Sequence, residues 1–85
     1  MLTFNNDEEG YLNWIEANPK GFVINSHKQS GPYMLHRADC IHIARGTHPN
    51  YTTTDYEKIC SLNKQELLNY ARSWKDFRLC GSCNP

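Results

Sequence analysis

Cys80-Gly81-Ser82-Cys83 and His36-Arg37-Ala38-Asp39-Cys40 constrain this chain more than anything else in it. Two cysteines separated by two residues can turn both sulfurs toward one point, and a glycine between them admits the positive φ that such a knuckle can use. A tetrahedral metal site needs two more ligands. His36 and Cys40, with three residues between them, supply that pair if the backbone coils there. The set His36, Cys40, Cys80 and Cys83 is a closed one-histidine, three-cysteine site, and Zn2+ is the ion expected in it. It would join two segments with 39 residues between Cys40 and Cys80, a long loop of the kind whose closure gains most from a crosslink.

Such a staple is expected on grounds of size. Eighty-five residues at 9.9 kDa make one domain, residues 1–85, whose single core is marginal without help. The opening Met-Leu-Thr-Phe-Asn-Asn-Asp-Glu-Glu is acidic and holds no apolar run of signal-peptide type, and no later segment has the length of a membrane span. The expectation is therefore a cytoplasmic chain with no membrane partner, in which reduced thiols bind metal rather than form disulfides.

Two other uses of the cysteines stay open. Cys60 in place of His36 would give a four-cysteine site, although Cys60 lies between Ile59 and Leu62 in an apolar pattern where a free cysteine behaves as a small buried hydrophobe. A redox couple of Cys80 and Cys83 lacks the strand-loop-helix setting of thioredoxin-like motifs. His27, His42 and His48 are read as spare donors: His27 in a hairpin loop, His48 before a proline, and His42 on the rim of the site or facing water.

The rest of the chain reads as α+β, a small antiparallel sheet with N-terminal and C-terminal helices closed by the metal. Residues 1–20 form a helical extension and 21–85 the stapled core. Asn6 or Asp7 can cap a helix carrying Glu8 and Glu9 in its first turn and Tyr11, Leu12 and Ile15 at helical spacing, and Asn18-Pro19 ends it. Gly10 weakens its first turn. Residues 21–25 and 33–35 pattern as paired strands around a loop, residues 41–46 as one or two helical turns ended by glycine, and 47–55 as a loop. Residues 56–62 read as a strand. Asn63-Lys64-Gln65-Glu66 has capping-box spacing, with Glu66 expected to reach back to Asn63, and Leu67, Ala71 and Trp74 follow on one face of a helix of about three turns.

Formal net charge is zero, but residues 1–17 carry −4 and the remainder +4. A basic excess outside the first helix suits an anionic partner.

At these residues a resemblance emerges. Leu35-His36-Arg37-Ala38-Asp39-Cys40 together with Phe77-Arg78-Leu79-Cys80-Gly81-Ser82-Cys83-Asn84-Pro85 resembles the N-terminal zinc-binding domain of the Ada DNA-repair proteins, over roughly residues 33–85. The resemblance implies zinc and DNA. In Ada the first ligand is the cysteine that accepts a methyl group from a DNA phosphotriester. Here that place holds His36, which has no thiolate to methylate, so a structural zinc is implied rather than methyl transfer. Arg37 and Arg78 match family arginines beside the ligands, while the basic residues that follow the second ligand in the family are replaced by Ile41, His42 and Ile43.

The functional expectation is a small zinc-stabilised nucleic-acid-binding module, with DNA as the partner and Arg37, Arg78, Arg45 and Lys28 as its contacts. The alternative is a protein-interaction module or small inhibitor of a defence or DNA-processing enzyme, using the acidic helix or exposed aromatics among Tyr11, Trp14, Tyr33, Tyr51 and Trp74. No catalytic residue is assigned, because a closed four-ligand site leaves no position for water and no nucleophile has a base at useful spacing.

Overall fold

The structure, a computed structural model, describes residues 1–27, 33–44, 51–53 and 55–85. Among them the chain runs β1 (Leu2–Phe4), α1 (Glu8–Ala17), β2 (Phe22–His27), β3 (Tyr33–Arg37), α2 (Ile41–Ala44), β4 (Tyr56–Ser61), α3 (Lys64–Ala71) and β5 (Phe77–Leu79). The five strands form one sheet in the order β1-β4-β2-β3-β5. The fold is thus α+β, but the sheet is mixed where an all-antiparallel one was expected: β5 lies parallel to β3, pairing Tyr33 with Phe77 and Leu35 with Leu79. Antiparallel ladders join the other neighbours, with Val23 opposite His36 on one side and Cys60 on the other.

Strand alternation gives the sheet two buried faces. On one, Val23 and Cys60 pack with Tyr11 and Ile15 of α1 and with Ala38, Cys40, Ile43 and Cys80. On the other, Ile24, Leu35 and Ile59 pack with Leu67 and Ala71 of α3. Because His36 is paired with Val23 and shares its parity, it enters the α1 and α2 side, the side on which the cysteines of the metal motif gather. Fully buried Tyr11 ties α1 to α2 by donating its hydroxyl to the Ile43 carbonyl at 2.8 Å.

Caps explain where the helices start. Asp7 accepts the Gly10 N–H through Oδ1 at 2.9 Å, and a Cβ at Gly10 would run into that same carboxylate, so the glycine that lowers helix propensity also makes room for the cap. Asn63 accepts from the backbone N–H groups of Gln65 and Glu66. The reciprocal half of the capping box is relayed: Glu66 accepts the Ser61 hydroxyl at 2.6 Å, and Ser61 accepts the Asn63 N–H at 3.0 Å. Helix α3 ends at Ala71, shorter than its apolar pattern predicts. Trp74 still reaches the core from the following turn, stacked against Tyr33 at 4.4 Å between centroids. The expectations at Gly46, His48 and most of residues 47–55 lie outside the described residues, as does the loop between β2 and β3. No helix of the described chain is long and apolar enough to cross a membrane.

Candidate metal centre

His36 is the fourth residue of β3, and Cys40 follows one tight turn later, where its N–H bonds to the Arg37 carbonyl at 3.0 Å. Cys80 continues directly from β5, its N–H donating to the Leu35 carbonyl at 2.9 Å. The parallel pairing of β3 with β5 is therefore what carries the second half of the motif to the first. The Cys80–Cys83 knuckle closes with an Asn84 N–H to Cys80 carbonyl bond of 3.1 Å. Its positive φ falls on Asn84, at 50°, and not on Gly81 as the motif suggested; asparagine tolerates this region better than other side chains do.

One ligand atom from each of His36, Cys40, Cys80 and Cys83 lies within 4.8 Å of the other three. The Cys40 and Cys80 sulfurs are 4.0 Å apart. Thiolates bound to one tetrahedral ion at about 2.3 Å stand roughly 3.8 Å from each other, so this separation fits shared coordination and is far beyond a disulfide bond. His36, Cys40 and Cys80 are buried, and Cys83 is half-buried. Its sulfur accepts the Arg37 N–H at 3.2 Å, the kind of supporting contact that steadies a metal-bound thiolate.

The site's polar atoms fit a cation. His36 Nδ1 is buried with no hydrogen-bond partner among the described residues, an expensive state for an imidazole nitrogen left without a partner. Burial above all, then His42 and Lys58, lowers the His36 pKa to about 4, which keeps the ring neutral and able to bind metal. Burial also pushes the Cys40 thiol up to about 12 despite the His42 backbone N–H. For Cys80 the upward push of burial is outweighed by the Cys83 backbone N–H, the His42 ring and the Ser82 N–H, which bring it down to about 6. A dication among these groups would favour the thiolate form of all three cysteines. The four residues can thus hold a metal ion.

Cys60 takes no part in this group. It is 1% exposed in the core, two strands across from His36, and burial pushes its thiol up to about 12. His27 stacks edge-on against Tyr56. By contrast, His42 stands beside the centre, with Nδ1 3.7 Å from the Cys40 sulfur and 3.8 Å from that of Cys80.

Of the expected nucleic-acid contacts, the two among the described residues lie on opposite faces of the sheet. Arg37 and Arg78 are both exposed, but Arg37 shares the parity of Tyr33 and Leu35, whereas Arg78 pairs with Met34 on the opposite face. Arg45 and Lys28 lie outside the described residues. Instead Arg37 lines a groove of about 370 Å³ with Lys20, Phe22, Lys64, Asn84 and Pro85. Phe22 sits opposite Arg37 in the β2–β3 ladder, and Lys64 opens α3 and donates to the Pro85 carbonyl at 2.7 Å. Sequence reasoning missed Lys20 and Lys64 because 43 residues separate them and only the fold brings them together. Asp39 meets the Arg37 guanidinium at 3.5 Å from outside the lining.

Of the aromatic side chains considered for a partner surface, Tyr11 is fully buried, and Trp14, Tyr33, Tyr51 and Trp74 are half-buried against the two core clusters. Comparison of the chain with protein-family models, with curated proteins and with solved structures gave no match.

Proposed function

We propose that this chain is a zinc-stapled nucleic-acid-binding module, with His36, Cys40, Cys80 and Cys83 as ligands of a structural Zn2+. Three thiolates and one imidazole suit zinc among the common divalent ions, and a closed set of four protein ligands leaves the ion no open position for catalysis. What the ion supplies is rigidity: it fixes the end of β3 against the C-terminal knuckle.

The observation that carries the nucleic-acid reading is the groove. Three cationic side chains, Lys20, Arg37 and Lys64, line it without an acidic residue. Three of its six lining residues, Arg37, Asn84 and Pro85, follow a metal ligand or its neighbour in sequence, so the staple and the groove are one construction. Cations gathered in a concave site attract the phosphates of a nucleic-acid strand. The resemblance to Ada-type zinc domains supports the same reading, with DNA as the first partner to try. With histidine at the position of Ada's methyl-accepting cysteine, the module binds and does not transfer a methyl group.

The test is a titration of labelled duplex and single-stranded DNA with metal-loaded protein. Three phosphate contacts predict that affinity for duplex falls about 40-fold between 50 and 200 mM salt. A Lys20→Ala, Arg37→Ala, Lys64→Ala triple variant should bind weakly with a nearly flat salt dependence. Absence of binding by the wild type at low salt, or unchanged binding by the triple variant, would contradict the reading.

A further inference from the structure

The fourth coordination position of the metal centre has two candidate nitrogens. His36 approaches from the sheet and is buried, whereas His42 approaches from α2 and is exposed. The short helix is responsible. Cys40 immediately precedes α2, the Ile43 N–H bonds back to the Cys40 carbonyl at 3.1 Å, and this turn folds His42 over the sulfurs of Cys40 and Cys80.

The separations suit a ring nitrogen that hydrogen-bonds the sulfurs, and they also match those of a ligand on a shared ion. A thiolate and an imidazole on one tetrahedral ion, with metal–sulfur near 2.3 Å and metal–nitrogen near 2.0–2.1 Å, stand roughly 3.6 Å apart. His42 Nδ1 is 3.7 Å from one ligand sulfur and 3.8 Å from another. Two imidazoles on one such ion have ring centroids roughly 5 Å apart. The His36 and His42 rings are 6.3 Å apart and set edge to face, at 68°, and it is His36 that completes the converging group as the structure stands.

The geometry points to His42 as a second nitrogen donor for the same metal ion, exchanging with His36 at the one position that Cys40, Cys80 and Cys83 leave open. No covalent chemistry is involved; one neutral imidazole leaves the ion as the other arrives. An exposed donor beside a buried one also gives the ion a route between solvent and the closed site, as a structural centre requires if it is to be loaded after folding. The inference rests on the metal-centre reading but not on nucleic-acid binding.

Cobalt(II) titration tests it, read by visible absorption, in which ligand-field bands report tetrahedral geometry and charge-transfer bands report the number of thiolates. His36→Ala and His42→Ala should each keep a three-sulfur, one-nitrogen spectrum and lose no more than about tenfold in affinity, while the double variant should lose more than the roughly 100-fold seen when only a ligand's supporting contacts are removed. If His36→Ala alone replaces its nitrogen ligand by water, the inference is overturned. His36 is buried and its removal can compromise folding, so His42→Cys provides an arm in which the core is intact. A sulfur that reaches the ion must strengthen the thiolate charge-transfer bands toward a four-sulfur spectrum, and an unchanged spectrum overturns the inference. A wild-type protein that takes up no cobalt would overturn the metal-centre reading itself, and this inference with it.

Discussion

Ser61 shows how much one hydroxyl can organise. It ends β4, accepts the Asn63 N–H that the capping box leaves to be satisfied, and donates to Glu66. That donation, followed by the amino group of Met1 at 3.3 Å, holds the Glu66 carboxyl below its ordinary range. A carboxylate depressed in this way binds protons more readily in the unfolded chain than in the folded one. Its contribution to stability is present at neutral pH and is lost as pH falls below about 4 and through the folded-state value. Glu66→Gln should therefore be less stable than wild type at pH 7, and the gap should narrow progressively as pH falls below about 4, as measured by urea denaturation from neutral pH into acid. A gap that persists unchanged in acid would mean that the Ser61 contact does not depend on charge. The spacing of Asn63 and Glu66 was readable in the sequence, but the relay was not, since a serine two residues before a cap carries no distinctive signal.

At the level of elements, the turn from α1 into β2 is a tightly packed joint. A Cβ on Gly21 would lie 2.6 Å from Trp14 Cη2, while the Gly21 carbonyl accepts the Ala38 N–H at 2.9 Å beside the ligand segment. Gly21→Ala should cost about 1–3 kcal/mol, the usual range for forcing extra volume into a packed site, visible as a lower melting temperature with a shifted Trp14 fluorescence signal. An unchanged melting temperature would show that the indole moves aside freely. The capped helices were legible because each has a periodic pattern and a start signal, and β2 and β4 because of their β-branched and aromatic content. Leu2–Phe4 and Phe77–Leu79 have only three residues each, too few for alternation to register. The mixed character of the sheet follows from β5 alone, and its parallel pairing is a tertiary outcome of bringing Cys80 beside Leu35.

For the whole molecule the Cys/His cluster that could hold a metal was legible and much of its surroundings was not. Coordination chemistry demands particular residue types at short spacing, so His36, Cys40, Cys80 and Cys83 stand out in the sequence, and the fold gathers them within 4.8 Å. His42 came beside the cluster only through the turn of α2, and the groove arose only through the convergence of four distant segments. A small domain with two thin core layers gains from a crosslink between residues 40 and 80; by the loop-entropy argument used for disulfides, a closure of this length contributes about 4 kcal/mol. One ion held by these four residues is proposed to provide that crosslink. Metal content per chain, measured by native mass spectrometry on Cys83→Ser and Cys60→Ser proteins prepared in parallel with wild type, tests it most directly. One zinc is expected in wild type and in Cys60→Ser, with its loss or marked depletion in Cys83→Ser; zinc retained by Cys83→Ser and lost from Cys60→Ser would overturn the assignment.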